Sequence, residues 1–168
     1  KVFFGDQKMD KAIFSKCEWK LTDEQDELCN RARFLGLNKF GERAFKYDRE
    51  ASFPIENYRD LAEQGLLGIC VPKKHGGFGA DLKTYMLTAA EIGRYCGATA
   101  LTFNMHVSSC LWTSFLIDDL NLDVKIKDEH ERLRSLHYKR IIDERKVYSQ
   151  PFSEGGAAAA GFKAFGTT

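Results

Sequence analysis

The sequence predicts a mainly α-helical domain of five to six helices, followed by the truncated opening of a β-rich one. Three observations predict it. Thr22-Asp23-Glu24-Gln25 forms a capping box ahead of a run with an approximately helical apolar period. The 23 residues from Tyr95 to Ile117 contain no Asp, Glu, Lys or Arg, as expected of a helix held in a core. Beyond Lys146 the helical logic stops, and Val147-Tyr148-Ser149-Gln150-Pro151-Phe152 reads as an extended strand.

Composition allows this architecture. A chain of 168 residues suits one domain, or one domain plus the start of a second. At that length roughly 70% of the unfolded surface is buried, so no disulfide or metal is needed to hold a core. Thirteen Phe, six Tyr and two Trp supply bulk, and 29% charged residues supply the surface. The 25 Lys and Arg balance 24 Asp and Glu, and a net charge of +1 removes the usual argument for nucleic acid. Five widely spaced cysteines without a CxxC point to buried or incidental thiols in a reducing compartment rather than zinc or a redox pair. The first residues carry no apolar signal-peptide core, which makes the cytoplasm the expected location. The uncharged stretch is long enough to cross a bilayer. Its Thr99, Thr102, Asn104, His106, Ser108 and Ser109, with Asp118 and Asp119 after it, favour a buried helix over a membrane span.

Residues 1–21 read as an N-terminal extension. Leu28, Ala32, Leu35, Phe40 and Ala44 then place one buried stripe on a helix of about 23–48, with Gly36 and Gly41 marking close packing or a break. Pro54 opens the next helix in its first turn, where a missing N–H costs nothing. Ile55, Tyr58, Leu61 and Ala62 share its inner face, and Gly65 ends it in a left-handed conformation. A short apolar run from Leu66 to Val71 follows, then the loop from Lys73 to Ala80. Asp81 caps a helix of about 82–95, the uncharged helix occupies 98–117, and a helix of about 127–144 turns Leu133, Leu136, Ile141 and Ile142 inward. The helical domain thus spans 22–145. Residues 146–168 begin a β-type domain that stops in mid-motif, as expected of a piece of a longer polypeptide.

The chemistry-bearing residues are few. Gly76-Gly77-Phe78-Gly79 fits neither phosphate-loop spacing, so a tight turn competes with ligand contact there. Ser153-Glu154-Gly155-Gly156 and the alanines after it let backbone amides approach a planar or anionic ligand, with an ordinary hairpin as the alternative. The histidines show no HExxH or repeated ExxH pattern, so no metal site is expected. His130 and His137 sit on a charged helix and read as exposed. His106, inside the uncharged helix, is either a hydrogen-bonded core residue or a substrate contact.

One stretch carries a family resemblance. Phe53-Pro54-Ile55-Glu56-Asn57-Tyr58-Arg59-Asp60-Leu61-Ala62-Glu63-Gln64-Gly65-Leu66-Leu67-Gly68-Ile69 runs into Val71-Pro72, His75-Gly76-Gly77-Phe78-Gly79-Ala80 and then Ala90-Glu91-Ile92. In order and spacing this resembles the N-terminal helical domain of the acyl-CoA dehydrogenase flavoproteins, over about residues 22–168. The resemblance implies an α-domain followed by a β-barrel-like middle domain and a C-terminal four-helix domain. FAD lies between the latter two, and helices of the first domain help line the acyl pocket. It assigns Tyr148, Gln150, Pro151 and Ser153 to the cofactor, and Thr102, Phe103, His106, Gly156 and Ala157 to the substrate.

The family pattern near the flavin is an aromatic, two residues, then Thr-Glu-Pro-Gly-x-Gly-Ser-Asp. Tyr148 matches the aromatic and Gly156 the glycine before Ser-Asp. Pro151 stands where the flavin-contacting Thr is usual, and Ala157-Ala158 replace Ser-Asp, so hydroxyl donors are missing at two places. The implied reaction is α,β-dehydrogenation of an acyl-CoA thioester, with electrons passed to a protein such as an electron-transfer flavoprotein. The implied assembly is a homodimer or homotetramer. The glutamate base of the family lies in the C-terminal domain, outside this chain, so Glu91 reads as structural. Two alternatives stand beside this one: a flavin-dependent monooxygenase or oxidase of the same fold, and a non-catalytic helical scaffold.

Overall fold

A computed structural model of the protein describes residues 20–115 and 118–149. Six α-helices account for most of them: α1 Asp23–Leu35, α2 Gly41–Glu50, α3 Ile55–Glu63, α4 Leu82–Gly93, α5 Gly97–Phe115 and α6 Val124–Ile142. The molecule is mainly α-helical, and there is no strand among the described residues. Residues 145–149 leave the helical conformation without joining a ladder. The expected β-type opening from 150 onward lies outside the described residues, as does the N-terminal extension before Lys20.

Local sequence explains three of the six helix starts. The Thr22 hydroxyl accepts from the Gln25 N–H at 3.2 Å, and the Gln25 side chain accepts from the Thr22 N–H at 3.1 Å, closing the capping box. Gln25 also donates to Thr84 at 3.1 Å, which fastens α1 to α4. Asp81 and Asp123 cap α4 and α6 by accepting from Thr84 and Lys125, each at 2.8 Å. Pro54 is the residue before α3 rather than its first. α6 begins at Val124, earlier than the charge pattern suggests, because Asp123 supplies the cap.

The long first helix is interrupted. A π-helical turn at Gly36–Phe40 joins α1 to α2. A methyl group on Gly36 would stand 2.0 Å from Cδ2 of Tyr95, so glycine here permits the close approach of the Tyr95 ring. The buried stripe runs through Leu28, Ala32, Leu35 and Phe40 as the period predicts, while Ala44 is only half-buried.

α1 packs along α4, and α4 along α5, while α6 lies against the turns at Leu66–Gly68 and Lys73–His75. Two polar ties cross this core. The Glu91 carboxylate, wholly buried, meets Arg33 at 3.4 Å and Arg94 at 3.2 Å, in keeping with a structural role. Asp60 holds Lys39 at 2.5 Å and Arg43 at 2.6 Å, and Arg43 reaches Asn57, which donates to Thr99 at 2.9 Å. Cys29, Cys70, Cys96 and Cys110 are buried and form no disulfide among the described residues, and burial pushes the Cys70 and Cys110 thiols up to about 12, so both stay protonated.

Two expectations are corrected. On α6 the inward residues are Tyr138 and Ile141, with Ile142 half-buried, whereas Leu133 and Leu136 face outward. α5 is not enclosed on all sides: Phe103, His106, Val107 and Cys110 are wholly buried, but Leu101 is 69% and Trp112 54% exposed. Absence of charge marked the helix without fixing which sides of it are covered. Among the described residues, no helix is long and apolar enough to cross a membrane.

Candidate functional site

The glycine-rich loop decides one question by its hydrogen bonds. Its five consecutive amides all have backbone acceptors. Gly76 donates to Lys73, Gly77 to Pro72, Phe78 to Gly68, Gly79 to Val71 and Ala80 to Ile69. A methyl on Gly77 would lie 2.2 Å from the Val71 carbonyl oxygen, so the loop is folded hard onto the 68–72 run. No N–H of these five remains to cradle a phosphate. The loop is a tight turn.

The site with room for a ligand lies elsewhere, in a groove of about 330 Å³. Phe53 and Tyr58, at the start and in the middle of the α3 segment, make one wall. Thr102 and Met105, one turn apart on α5, make the second, and residues 147–149 after α6 make the third. Two of the residues singled out from sequence, Thr102 and Tyr148, are therefore brought to one cavity. None of the described lining side chains is charged. The Thr102 hydroxyl donates back to the Ala98 carbonyl at 2.9 Å, with the Thr99 carbonyl at 3.2 Å, so toward the groove it is an acceptor.

His106 does not face this groove. Its ring is wholly buried, and both nitrogens have backbone partners. Nε2 lies 3.0 Å from the Leu67 carbonyl, and the Tyr148 N–H donates to Nδ1 at 3.1 Å. Since Nδ1 accepts, the ring is the neutral tautomer carrying hydrogen on Nε2, which donates to Leu67. Burial pushes the imidazole down to about 4, against the opposing pull of the Leu67 carbonyl. His106 is thus a strap that ties α5 to the Leu66–Gly68 turn and to the segment after α6. Phe103 is likewise wholly buried and packs toward Tyr85, ring centroids 6.1 Å apart.

Tyr148 is fixed on both sides. Its ring lies near-parallel to that of His106 at 6.5 Å and meets the His137 ring edge-on at 4.2 Å. His137 is therefore half-buried rather than exposed, and burial lowers its pKa, with Arg140 adding to the effect. Sequence reading left Tyr58, Phe53, Met105 and His137 out of the site. Nothing in their spacing marks them, because they come from three separate parts of the chain, the α3 segment, α5 and α6. Gln150, Pro151, Ser153, Gly156 and Ala157 lie outside the described residues. Among the described residues, no group of three or more His, Cys, Asp or Glu could hold a metal ion.

Comparison with known proteins adds one deciding observation. The profile described as acyl-CoA dehydrogenase, N-terminal domain, matches residues 22–116, which is more than half of the chain. The chain belongs to the acyl-CoA dehydrogenase family. A short-chain specific acyl-CoA dehydrogenase of Clostridium acetobutylicum is 30% identical over 93 residues, covering 55% of this chain and 24% of that protein. A 3-(aryl)acrylate reductase of Clostridium sporogenes is 35% identical over 137 residues, covering 81% of this chain and 33% of its own length. The solved structure of butyryl-CoA dehydrogenase from Megasphaera elsdenii shares the fold, with a TM-score of 0.60 at 22% identity over 86% of this chain and 36% of that one. The chain spans about a quarter to a third of the length of these curated relatives. Within the acyl-CoA dehydrogenase domain, the matched region includes Thr102 and His106 and ends before α6 and Tyr148.

Proposed function

We propose that this chain is the acyl-binding helical part of an FAD-dependent oxidoreductase that desaturates an acyl-CoA thioester between Cα and Cβ. The observation that carries the reading is the uncharged groove between Thr102 and Tyr148, in a chain of this family. Its size and apolar lining suit the acyl portion of a thioester. The groove walls would hold that portion in place and exclude water around it.

Tyr148 is the one residue of the implied flavin-contact segment that the structure describes. Its clamped backbone and ring offer a fixed aromatic edge, which fits a planar ring system. Gln150, Pro151 and Ser153 follow it and complete the cofactor contacts in this reading, with Gly156 and Ala157 near the substrate. The flavin, when bound, supplies hydride acceptance. The general base comes from a C-terminal domain, and no carboxylate of this chain is assigned that task. The exposed apolar side chains Trp112, Val124, Ile126 and Leu133 support burial of apolar surface against further protein in a dimeric or tetrameric assembly. Reoxidation by an electron-transfer protein completes the scheme.

A second reading shares the groove and reverses the reaction. The relative covering 81% of this chain is a 3-(aryl)acrylate reductase, and Phe53, Tyr58 and Tyr148 give the groove aromatic walls suited to an aryl group. One experiment separates the two. The complete polypeptide is loaded with FAD and desalted, and its visible spectrum is followed without oxygen as a saturated acyl-CoA is added. Thioester-dependent bleaching is expected for a dehydrogenase. Bleaching absent with saturated thioesters, but reoxidation of chemically reduced flavin by an aryl-acryloyl substrate, favours the reductase. The 168-residue chain alone is expected to bind FAD weakly or not at all. Stoichiometric yellow protein from that chain would overturn the assignment of flavin binding to the missing domains.

A further inference from the structure

We infer that His137 is a proton-operated latch on the groove's third wall: neutral, it holds the Tyr148 ring in place, and protonated, it lets the ring go. The latch goes beyond the acyl-thioester reading and stands without it. Tyr148 lines the groove, and the His137 ring meets it with centroids 4.2 Å apart and planes 69° apart. His106 is the more distant of the two imidazoles, at 6.5 Å. The deciding atom is Nε2 of His137, which is closed off from solvent and has no hydrogen-bond partner among the described residues. A neutral imidazole can leave that nitrogen bare and carry its hydrogen on Nδ1. An imidazolium cannot, because both nitrogens then carry hydrogen and a charged donor is enclosed without an acceptor. The charged ring is therefore driven toward water, and its contact with Tyr148 is lost.

The surroundings supply no counter-ion. Arg140, one turn along α6, opposes a second positive charge. α5 contributes His106, which burial holds neutral down to about 4. The segment after α6 contributes the Tyr148 phenol, and the Leu66–Gly68 turn has no ionisable side chain. In the Lys73–His75 turn, Lys74 and His75 meet Glu131 at 3.1 and 3.6 Å, and Lys73 meets Glu24 at 2.9 Å. The face of a tyrosine attracts a cation, but less than the water that a buried imidazolium gives up. Burial first, and then Arg140, hold His137 below its ordinary 6.5. The released ring binds a proton more readily than the latched one, so the latch is fully set above pH 6.5 and weakens as pH falls below it. Within that window the ratio of released to latched molecules rises by up to about tenfold per pH unit. The Tyr148 amide stays on His106 throughout, because His106 keeps its bare Nδ1 until about pH 4. The ring yields while the backbone holds, and the groove loses a wall in acid.

The test uses the complete polypeptide without ligand, so that it reads the wall independently of any substrate. Histidine and tyrosine rings are labelled with carbon-13, and their NMR signals are followed from about pH 7.5 to about pH 5. His137 is expected to titrate below 6.5, and the Tyr148 ring signals to move with the same midpoint. His137→Phe keeps a ring against Tyr148 but has no proton to bind, and its Tyr148 signals should stay flat over the range. His137→Gln is a second uncharged side chain of smaller bulk and should be flat as well. A His137 midpoint at or above 6.5 overturns the inference. So do parent Tyr148 signals that ignore the His137 titration, or Tyr148 signals that keep the parent's midpoint in either uncharged variant. Matching midpoints in a protein whose flavin no thioester bleaches overturn the dehydrogenase reading and leave the latch standing.

Discussion

Replacing His106 tests the strap that places Tyr148 on the groove. In His106→Leu the Leu67 carbonyl and the Tyr148 N–H each lose the partner that the imidazole supplies. An unsatisfied buried group costs about 1–3 kcal/mol. Tyr148 is only half-buried, so water relieves part of its loss, and leucine returns some apolar contact. The net expectation is a loss of about 2–3 kcal/mol, or about 5–10 °C in melting temperature for a chain of this size. His106→Gln keeps an amide N–H for Leu67 and a carbonyl for Tyr148, and should stay within about 1 kcal/mol of the parent at pH 7.

Acid provides the sharper comparison. The folded imidazole sits at about 4, below the 6.5 at which it titrates when unfolded. Between those values only the unfolded chain takes up the proton, so stability falls as pH falls through the window, and the loss is complete below about 4. The size of this component is on the order of 3 kcal/mol. Urea unfolding of parent and His106→Gln from pH 7 to 4.5 isolates it, because His137 and the carboxylates titrate in both proteins. The glutamine variant should gain about 2–3 kcal/mol on the parent over that range. Parallel stability curves, or a leucine variant as stable as the parent, would refute the strap.

Two further substitutions probe the packing behind the site. Gly36→Ala drives a methyl into Tyr95 and is expected to cost about 1–3 kcal/mol in urea unfolding; Tyr95→Ala in the same chain should recover part of that loss, as a double-mutant cycle will read. Glu91→Ala leaves Arg33, 4% exposed, without its buried carboxylate and should cost about 3–5 kcal/mol, whereas replacing both members by apolar residues of similar volume should be nearly neutral. Equal losses for the single and double changes would remove the pair from the account.

What was legible in the sequence was local. Thr22, Asp81 and Gly65 act within one turn of where they stand, and the caps and the left-handed residue follow from side-chain chemistry over three or four positions. The π-turn at Gly36 was legible only as a weak point, because its cause is a tyrosine ring 59 positions later. α6 resisted phasing for a different reason. Val124, Ile126, Leu133 and Leu136 are as apolar as Ile141, so the pattern did not tell an inner face from one left for another surface. For the site, the sequence marked Thr102 and Tyr148 as places but did not pair them, since 45 residues, all of α6 among them, lie between. His106 was read as unusual, but its partners are backbone atoms, which leave no trace in side-chain spacing.

α5 explains how one helix serves core and groove together. Phe103, His106, Val107 and Cys110 follow the i, i+3, i+4, i+7 pattern of a single buried stripe, and His106 occupies a core position of it. Thr102 and Met105 lie beside that stripe and open onto the groove. A charged residue in the stripe would be buried without a partner, so the polarity there has to be neutral and fully bonded. An imidazole with both nitrogens engaged meets that condition, and through the Tyr148 amide it fixes the groove's third wall. A substitution at His106 should therefore disturb the groove by moving Tyr148.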